Sequence, residues 1–179
     1  MFKLTAAPAL SAGDYQRPDL SVQLLPNLAR LSLAPLHGEL EPVQNYLEKL
    51  TIKLPGPTAA TLSPCLVLPL GQGQWLLQGE LPDLAPLKEK VATTDQSDAW
   101  CGFTLKGVKV PAMLERLVMN PPSTYAEGCA VRTQIEHLSC WVVGLGSCEW
   151  QILGPRSSAD SLFHALKQTA QAVDALTDN

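Results

Sequence analysis

The sequence has few charged side chains and no excess of basic ones. Only 17% of its 179 residues are charged, whereas about 25% is usual for a globular domain. Thirteen basic residues face seventeen acidic ones, which gives a net charge of −4, so the electrostatic signature of a nucleic-acid binder is absent. The hydrophobic fraction of 46% excludes a disordered chain. A surface so poor in charge predicts contact with a partner, because the cores of protein interfaces are depleted in charged residues.

Long apolar runs and paired cysteines are also missing. The longest apolar stretch, Cys65–Leu70, has six residues, far short of the ~20 that a membrane-spanning helix needs. Thr5 and Pro8 interrupt the apolar segment near the N-terminus, which argues against a secretory signal. The five cysteines include no C-x-x-C pair, and no N-x-[ST] glycosylation site occurs. These absences predict a soluble protein of the cytoplasm that does not bind membranes.

No motif for catalysis or cofactor binding stands out. Gly71-x-Gly73 and Gly144-x-Gly146 lack the third glycine of a dinucleotide-binding motif, and we interpret them as hairpin glycines with positive φ. The three histidines are scattered and predict no metal site. Asp95 and Asp98 form a carboxylate pair, but the surrounding Asp and Ser residues are typical of a turn. We therefore predict that this chain itself contains no catalytic, cofactor-binding or metal-ligating residue.

Two stretches of the chain follow one pattern. Leu31–Leu33 alternates like a strand, and Pro42 opens a helix with apolar residues at i, i+3, i+4 and i+7. Phe103–Leu105 repeats the strand pattern, and Pro111, which lies 69 residues after Pro42, opens a second such helix. The two stretches therefore predict two similar units in tandem.

A hairpin and a further helical pattern complete each unit. Cys65–Gln78 and Cys140–Leu153 each read as two strands around a glycine turn. Apolar residues within Leu84–Val91 have helical spacing after the first hairpin, and a long helix is predicted from Ser158 to about Leu176 after the second.

The pattern predicts an α+β fold of two tandem units that each run β-α-β-β-α. We place the first unit at residues 28–92 and the second at residues 93–179. Residues 1–27, which contain three prolines, are predicted to form an extended N-terminal arm. A coincidental similarity of the two stretches is the alternative, because alternation of strands and helices is common.

The second half of the chain carries motifs of a known family. Asp95–Trp100 has the pattern D-x-S-D-A, Gly128–Thr133 has G-x-x-x-R-T, and Arg156–Leu162 has R-S-x-A-x-S-L before the terminal helix. In this order the motifs resemble the gamma subunit of bacterial heterotetrameric sarcosine oxidase, with the best match over residues 70–179. Arg116–Pro122 departs from the Lys-Gly-Cys-like segment of the family, which leaves open a related complex that demethylates another N-methyl amino acid.

The resemblance implies a fold like the folate-binding domain of the glycine-cleavage aminomethyltransferase, which is built from ferredoxin-like units. It implies a non-catalytic structural subunit of a complex that converts sarcosine, oxygen and tetrahydrofolate to glycine, 5,10-methylenetetrahydrofolate and hydrogen peroxide. The expected partners are the alpha, beta and delta subunits, which in this family hold FAD, FMN, NAD, tetrahydrofolate and zinc. One alternative is a stand-alone folate-dependent aminomethyl carrier in which Asp95 or Asp98 acts on the folate, and another is an independent interaction module.

Four residues are candidates for an interface or structural role: Arg156, Asp95, Asp98 and Arg132. Arg156 lies at the start of the terminal helix, where the helix dipole disfavours a cation by a few tenths to about 1 kcal/mol. A guanidinium pairs well with carboxylates. We therefore predict that Arg156 contacts Asp95, Asp98 or a carboxylate of a partner subunit, with a solvated arginine as the alternative.

Replacement of Arg156 by alanine is expected to weaken the fold or the assembly by ~1–3 kcal/mol, the scale for losing a charged hydrogen-bond partner. The melting temperature of the chain and its co-elution with partner subunits measure the two effects. If both are unchanged in Arg156→Ala, Arg156 is an ordinary surface residue.

Overall fold

The computed structural model describes residues 9–10 and 14–177, and within them the chain forms ten strands and three α-helices. No helix in this part of the chain is long and apolar enough to cross a membrane. Short 3-10 turns lie at Ala85–Leu87, Pro122–Tyr125 and Arg156–Ser158. In chain order the elements are β1 (Asp14–Arg17), β2 (Leu20–Leu24), β3 (Arg30–Pro35), α1 (Leu40–Lys49), β4 (Leu66–Gly71), β5 (Gln74–Gln78), β6 (Val91–Asp95), β7 (Trp100–Lys106), α2 (Val110–Leu117), β8 (Ala130–Ile135), β9 (Leu138–Gly146), β10 (Glu149–Pro155) and α3 (Ala159–Thr177).

The strands form two sheets. The larger sheet has six strands in the order β1-β2-β7-β10-β9-β8, and the smaller has four in the order β4-β5-β3-β6. Neighbouring strands are antiparallel in both sheets. The chain thus combines helices with antiparallel sheets, in agreement with the α+β class predicted from the sequence.

Each sheet is covered on both faces. One face of the six-stranded sheet packs on α2 and α3, where Phe103 and Met113 are fully buried. One face of the four-stranded sheet packs on α1, where Leu33 and Leu47 are fully buried. The remaining faces of the two sheets pack against each other, so the layers follow one another as helix, sheet, sheet and helix pair. The residues of this inter-sheet cluster are Leu66, Leu68 and Leu76 from the smaller sheet and Ala130, Trp141, Val143 and Leu153 from the larger one.

Most elements predicted from the sequence are confirmed, but one helix is wrong. The strands around Leu31–Leu33 and Phe103–Leu105, the two proline-opened helices, both hairpins and the long terminal helix all form. The segment Leu84–Val91 contains only a 3-10 turn at Ala85–Leu87, and strand β6 begins at Val91. β6 contains the β-branched residues that favour strands and pairs with β3. The apolar residues with helical spacing in Leu84–Val91 therefore belong partly to a turn and partly to a strand, and no helix forms.

Part of the predicted N-terminal arm belongs to the larger sheet. Strands β1 and β2 form a hairpin, and β2 pairs with β7 through the positions Ser21 to Leu24. Leu20 and Val22 are fully buried in the cluster beneath α2 and α3. Residues 1–8 and 11–13 of the predicted arm lie outside the described residues. Since β2 pairs beside β7, the chain segment before residue 28 packs with the second predicted unit.

The two glycine pairs of the hairpins differ in their roles. Gly73 has a φ of +67°, as predicted for a hairpin turn. Gly71, Gly144 and Gly146 have no positive φ, so the prediction was wrong for these three, and Gly144 lies inside β9. A Cβ atom at Gly144 would lie 2.1 Å from the carbonyl oxygen of Ala126. Gly144 is therefore required because the segment before β8 passes very close to β9.

Gly144→Ala is expected to destabilise the protein by roughly 2–3 kcal/mol, the upper part of the range for overpacking, because backbone atoms must move to admit the methyl group. Gly146→Ala is the matched control in the same strand, since a Cβ there would meet no atom within 4 Å. Urea denaturation measures both free energies of unfolding. Equal stabilities of the two variants would contradict the close approach at Gly144.

Candidate functional site

Asp95 is the last residue of β6, Asp98 lies in the turn that connects β6 with β7, and both are exposed. Asp95 Oδ1 accepts hydrogen bonds from the hydroxyl of Ser97 at 2.6 Å and from its backbone N–H at 2.9 Å. These bonds lower the pKa of Asp95 below its ordinary value. Asp98 accepts a long hydrogen bond of 3.4 Å from the amide of Asn27. Both carboxylates thus have local partners in or beside the turn.

Arg156 is close to this turn, whereas Arg132 is not part of it. The backbone N–H of Arg156 donates to the carbonyl oxygen of Ala99 at 3.0 Å, which places the start of the 3-10 turn before α3 next to the β6–β7 connection. Arg132 is exposed on β8, at the opposite edge of the sheet from β1, and its Nε donates to Ser139 Oγ at 3.0 Å. The pairing of Arg156 with Asp95 or Asp98 remains a prediction.

A third arginine, Arg30, organises the region and was missed by the sequence analysis. It is the first residue of β3, and only 1% of its surface is exposed. Its Nη1 donates to the carbonyl oxygens of Trp100 at 3.1 Å and Ser97 at 3.4 Å. Its backbone N–H donates to Ser97 Oγ at 3.0 Å. The β6–β7 turn therefore wraps around the buried guanidinium.

Two glutamines continue the hydrogen bonds of Arg30 from one sheet to the other. Arg30 Nε donates to Gln78 Oε1 at 2.8 Å, within the smaller sheet. Gln78 and Gln151, which lies on β10 of the larger sheet, exchange reciprocal amide hydrogen bonds of 3.2 and 3.3 Å. Both glutamines are 4% exposed. This network places hydrogen-bonded polar groups inside an otherwise apolar inter-sheet layer.

The guanidinium of Arg30 has neutral acceptors only. Among the described residues, no carboxylate lies within 4 Å of it. Burial lowers the pKa of Arg30, and the positive charge of Arg156 lowers it as well, but an arginine side chain still keeps its proton in a protein. Burial raises the pKa of the nearby Cys101 thiol, which therefore stays neutral and supplies no negative charge at physiological pH. Arg30 thus keeps its charge in an interior position where its acceptors among the described residues are all neutral.

A cavity of about 510 Å³ adjoins both arginines. Its lining includes the polar residues Asn27, Arg30 and Arg156 as well as Trp100. The Trp100 indole N–H is buried without an acceptor among the described residues. Leu24, Leu25 and Pro26 contribute apolar wall. Since arginines and an indole give up no proton near neutral pH, this arrangement is suited to binding a group rather than to proton transfer.

A second cavity of about 440 Å³ lies at the β4–β5 hairpin and has mainly apolar walls. Trp75 and Trp141 line it together with Pro55 and Pro57. Trp75 Nε1 donates to the carbonyl oxygen of Pro55 at 2.9 Å, whereas the Trp141 indole N–H is buried without an acceptor among the described residues. No charged side chain is found among the described residues that line this cavity.

The sequence contains little that could have identified Arg30. The strand pattern places Arg30 and Ser32 on one face of β3, which suggests a solvent-facing side. The partners of Arg30 are 48 to 70 residues away along the chain. Only the packing of the second sheet on that face converts it into an interior.

Comparison with known proteins identifies a fold. No family model matches the chain, and neither does any curated protein. Among solved structures, it is similar to a chain of the heterotetrameric sarcosine oxidase from Corynebacterium sp. U-96 in complex with pyrrole 2-carboxylate. The TM-score of this match is 0.71 and the sequence identity is 19%. The match covers 86% of this chain and 85% of that chain. It is also similar to the glycine cleavage system aminomethyltransferase T from Bartonella henselae, with a TM-score of 0.53 and 12% identity. That match covers 81% of this chain and 44% of the aminomethyltransferase.

Gln151→Leu is expected to lower the free energy of unfolding by ~1–3 kcal/mol, because Gln78 then loses its amide partner inside the inter-sheet layer. Gln134→Leu is the matched control, since Gln134 is exposed on β8, and a surface change of this kind usually stays within about 0.5 kcal/mol. Chemical denaturation of both variants measures the difference. The proposed importance of the network is wrong if Gln151→Leu is as stable as the control.

Proposed function

We propose that this chain is the gamma subunit of a heterotetrameric sarcosine oxidase and that it has a structural rather than a catalytic role. The observation that carries the proposal is the fold match over nearly the whole of both chains. Since the match covers 86% of one chain and 85% of the other, the two chains are almost equally long. The order of the motifs at Asp95–Trp100, Gly128–Thr133 and Arg156–Leu162 supports the same assignment.

The proposal includes the architecture of two tandem ferredoxin-like units. The strand order β6-β3-β5-β4 of the smaller sheet supports this for the first unit, because a split β-α-β arrangement has the order 4-1-3-2. In the larger sheet, β2 lies beside β7 in the place that a fourth strand would take. The second unit would therefore be completed by a strand from the N-terminal segment.

The partners in this proposal are the alpha, beta and delta subunits, which would hold FAD, FMN, NAD, tetrahydrofolate and zinc. Exposed apolar side chains support a surface that partners cover. Leu36, Leu40 and Leu50 lie on or beside α1 with 38–46% of their surface exposed, and Met119 is fully exposed. Exposed leucines grouped around one helix, as at α1, are typical of an interaction surface, whereas Met119 lies after α2 on the other side of the molecule. The cytoplasm is the proposed location.

A stand-alone folate-dependent aminomethyl carrier is the second candidate, since the fold also matches aminomethyltransferase T. Such a carrier needs a carboxylate that holds the pterin. The described residues around the 510 Å³ cavity include two arginines and no aspartate or glutamate. Asp95 and Asp98 are exposed and hydrogen-bonded to Ser97 and Asn27. These residues do not fit a pterin site, so the carrier is the less favoured candidate. A complex that demethylates another N-methyl amino acid is a variant of the first.

Co-expression with the alpha, beta and delta subunits of the same organism tests the assignment. We expect the four chains to elute together, with an interface of well above ~1,000 Å² for this chain, and the purified complex to form hydrogen peroxide from sarcosine. Leu40→Glu should weaken co-elution, because it places a charge in the apolar surface beside α1, whereas Gln134→Glu on the exposed side of β8 is the control.

The chain purified alone provides the complementary test. We expect it to show no flavin absorbance and no saturable binding of tetrahydrofolate. A stable monomer that fails to co-elute with any of the other subunits would contradict the oxidase assignment. Stoichiometric flavin in the isolated chain would contradict the structural role, and tight folate binding would favour the aminomethyl carrier.

A further inference from the structure

We propose that the cavity at the β4–β5 hairpin, which Trp75 and Trp141 line, binds a small uncharged aromatic compound that carries a hydrogen-bond acceptor. This inference concerns the chain itself and does not depend on the oxidase assignment. It follows from the aromatic and apolar walls of the cavity, from the space that its glycines leave open, and from a buried donor that lacks an acceptor.

The walls of the cavity favour a flat apolar ligand. Trp75 and Trp141 contribute aromatic surface, and Pro55, Pro57 and Pro69 contribute aliphatic rings. Aromatic ligands gain both burial and ring–ring contact from such walls. The volume of about 440 Å³ is within the ~300–1,000 Å³ that is usual for small-molecule sites. The cavity therefore has the size and the surface for one or two fused aromatic rings.

The ligand that fits this cavity is neutral. Within the described part of the chain, the lining has an amide side chain at Gln72 and no charged side chain. A charged ligand would lose its hydration there without meeting an opposite charge, which is unfavourable. The lining also lacks the carboxylate that would hold the pterin of a folate, so the proposed ligand differs from that of an aminomethyl carrier.

Glycines leave space at the cavity. Gly56 and Gly71 belong to the lining, and a Cβ atom at either position would meet no atom within 4 Å. Gly71 has no positive φ, so its backbone conformation does not require a glycine. A side chain at position 71 is therefore compatible with the fold and would occupy space beside the cavity.

One donor at the cavity has no acceptor. The indole N–H of Trp75 donates to the carbonyl oxygen of Pro55, whereas the indole N–H of Trp141 is buried and lacks a partner among the described residues. Trp141 is only 4% exposed, and a buried donor without an acceptor is unfavourable. A carbonyl oxygen or a ring nitrogen of a ligand in the cavity would supply the missing acceptor.

Quinoline is a suitable probe, because it is flat, uncharged at slightly alkaline pH and carries one ring nitrogen that accepts a hydrogen bond. The matched cation is 1-methylquinolinium, which has the same rings, a permanent positive charge and no acceptor. Calorimetric titration of the purified full-length chain measures both. We expect saturable binding of quinoline and none of 1-methylquinolinium. The proposal is overturned if quinoline does not bind, or if the cation binds as tightly.

Removal of the Trp141 N–H tests the hydrogen bond. Trp141→Phe keeps an aromatic ring and should raise the Kd for quinoline roughly fivefold, the factor expected for one neutral hydrogen bond. The Kd for naphthalene, which has the same shape without an acceptor, should not change. Trp100→Phe is the matched control, since the Trp100 N–H also lacks an acceptor in the described part of the chain but Trp100 lines the other cavity. Equal effects on quinoline and naphthalene, or equal effects of the two variants, would overturn the site.

A measurement on the unaltered chain complements this variant, because Trp141 also packs between the sheets. NMR of the isotope-labelled chain should show the Trp141 indole N–H resonance moving downfield with quinoline, as a new hydrogen bond requires, while the Trp100 resonance stays in place. An unchanged Trp141 resonance at saturating quinoline would contradict the proposed contact.

Gly71→Val tests the position of the ligand. It should raise the Kd for quinoline about tenfold, which corresponds to the lower part of the cost of overpacking. Gly146→Val is the matched control, because a Cβ atom there also meets no atom within 4 Å and Gly146 lies at the other hairpin. Unchanged quinoline affinity in Gly71→Val, or an equal loss in Gly146→Val, would overturn the assignment to this cavity.

Discussion

The structure depends on a buried positive charge between two antiparallel sheets. Arg30 cannot lose its proton, and so its interior position requires that hydrogen-bond acceptors surround it. Gln78 supplies one acceptor from the smaller sheet, and the carbonyls of Ser97 and Trp100 supply two more from the connection between the sheets. Gln151 extends the network to the larger sheet. The hydrogen bonds around Arg30 thus fix both the relative position of the two sheets and the shape of the β6–β7 turn.

The chain passes between the sheets twice at this point. The segment after β2 leads from the larger sheet to β3, and the β6–β7 turn leads back. Leu25 bonds to Gly102, and Gln96 bonds to Arg30, through backbone hydrogen bonds of 2.8 Å. The cavity lies between these two connections and the start of α3. Its location explains why residues that are far apart in the sequence line one cavity.

Burial of both sheets on both faces also explains the low content of charge. A sheet that packs on helices with one face and on another sheet with the opposite face needs apolar residues at successive positions. Leu66–Leu68 in β4 and Trp141–Val143 in β9 are such runs, and their members alternate between clusters. Much of the 46% hydrophobic content is therefore interior. The exposed leucines beside α1 are the part of it that a partner would cover.

The sequence by itself determined the local elements and the class of the fold. Period-two and helical patterns identified the strand at Leu31–Leu33, the helix opened by Pro42 and the two hairpins, because these features depend on neighbours a few residues apart. The same local logic was wrong for Leu84–Val91, where a turn and a strand imitate helical spacing. The motif around Asp95 and Ser97 indicated a turn correctly, and its hydrogen bonds are local.

Only the tertiary structure decided what lies opposite each strand. The face of β3 that carries Arg30 became an interior because the larger sheet packs on it, and nothing near residue 30 in the sequence encodes this contact. Residues Leu20–Leu24 form a strand of the larger sheet because they pair with the edge of β7, which lies about eighty residues later in the chain. Burial and charge at the cavity result from such long-range contacts. Patterns of nearby residues identify the elements of this protein, whereas the packing of distant elements creates the buried arginine network and the cavity beside it.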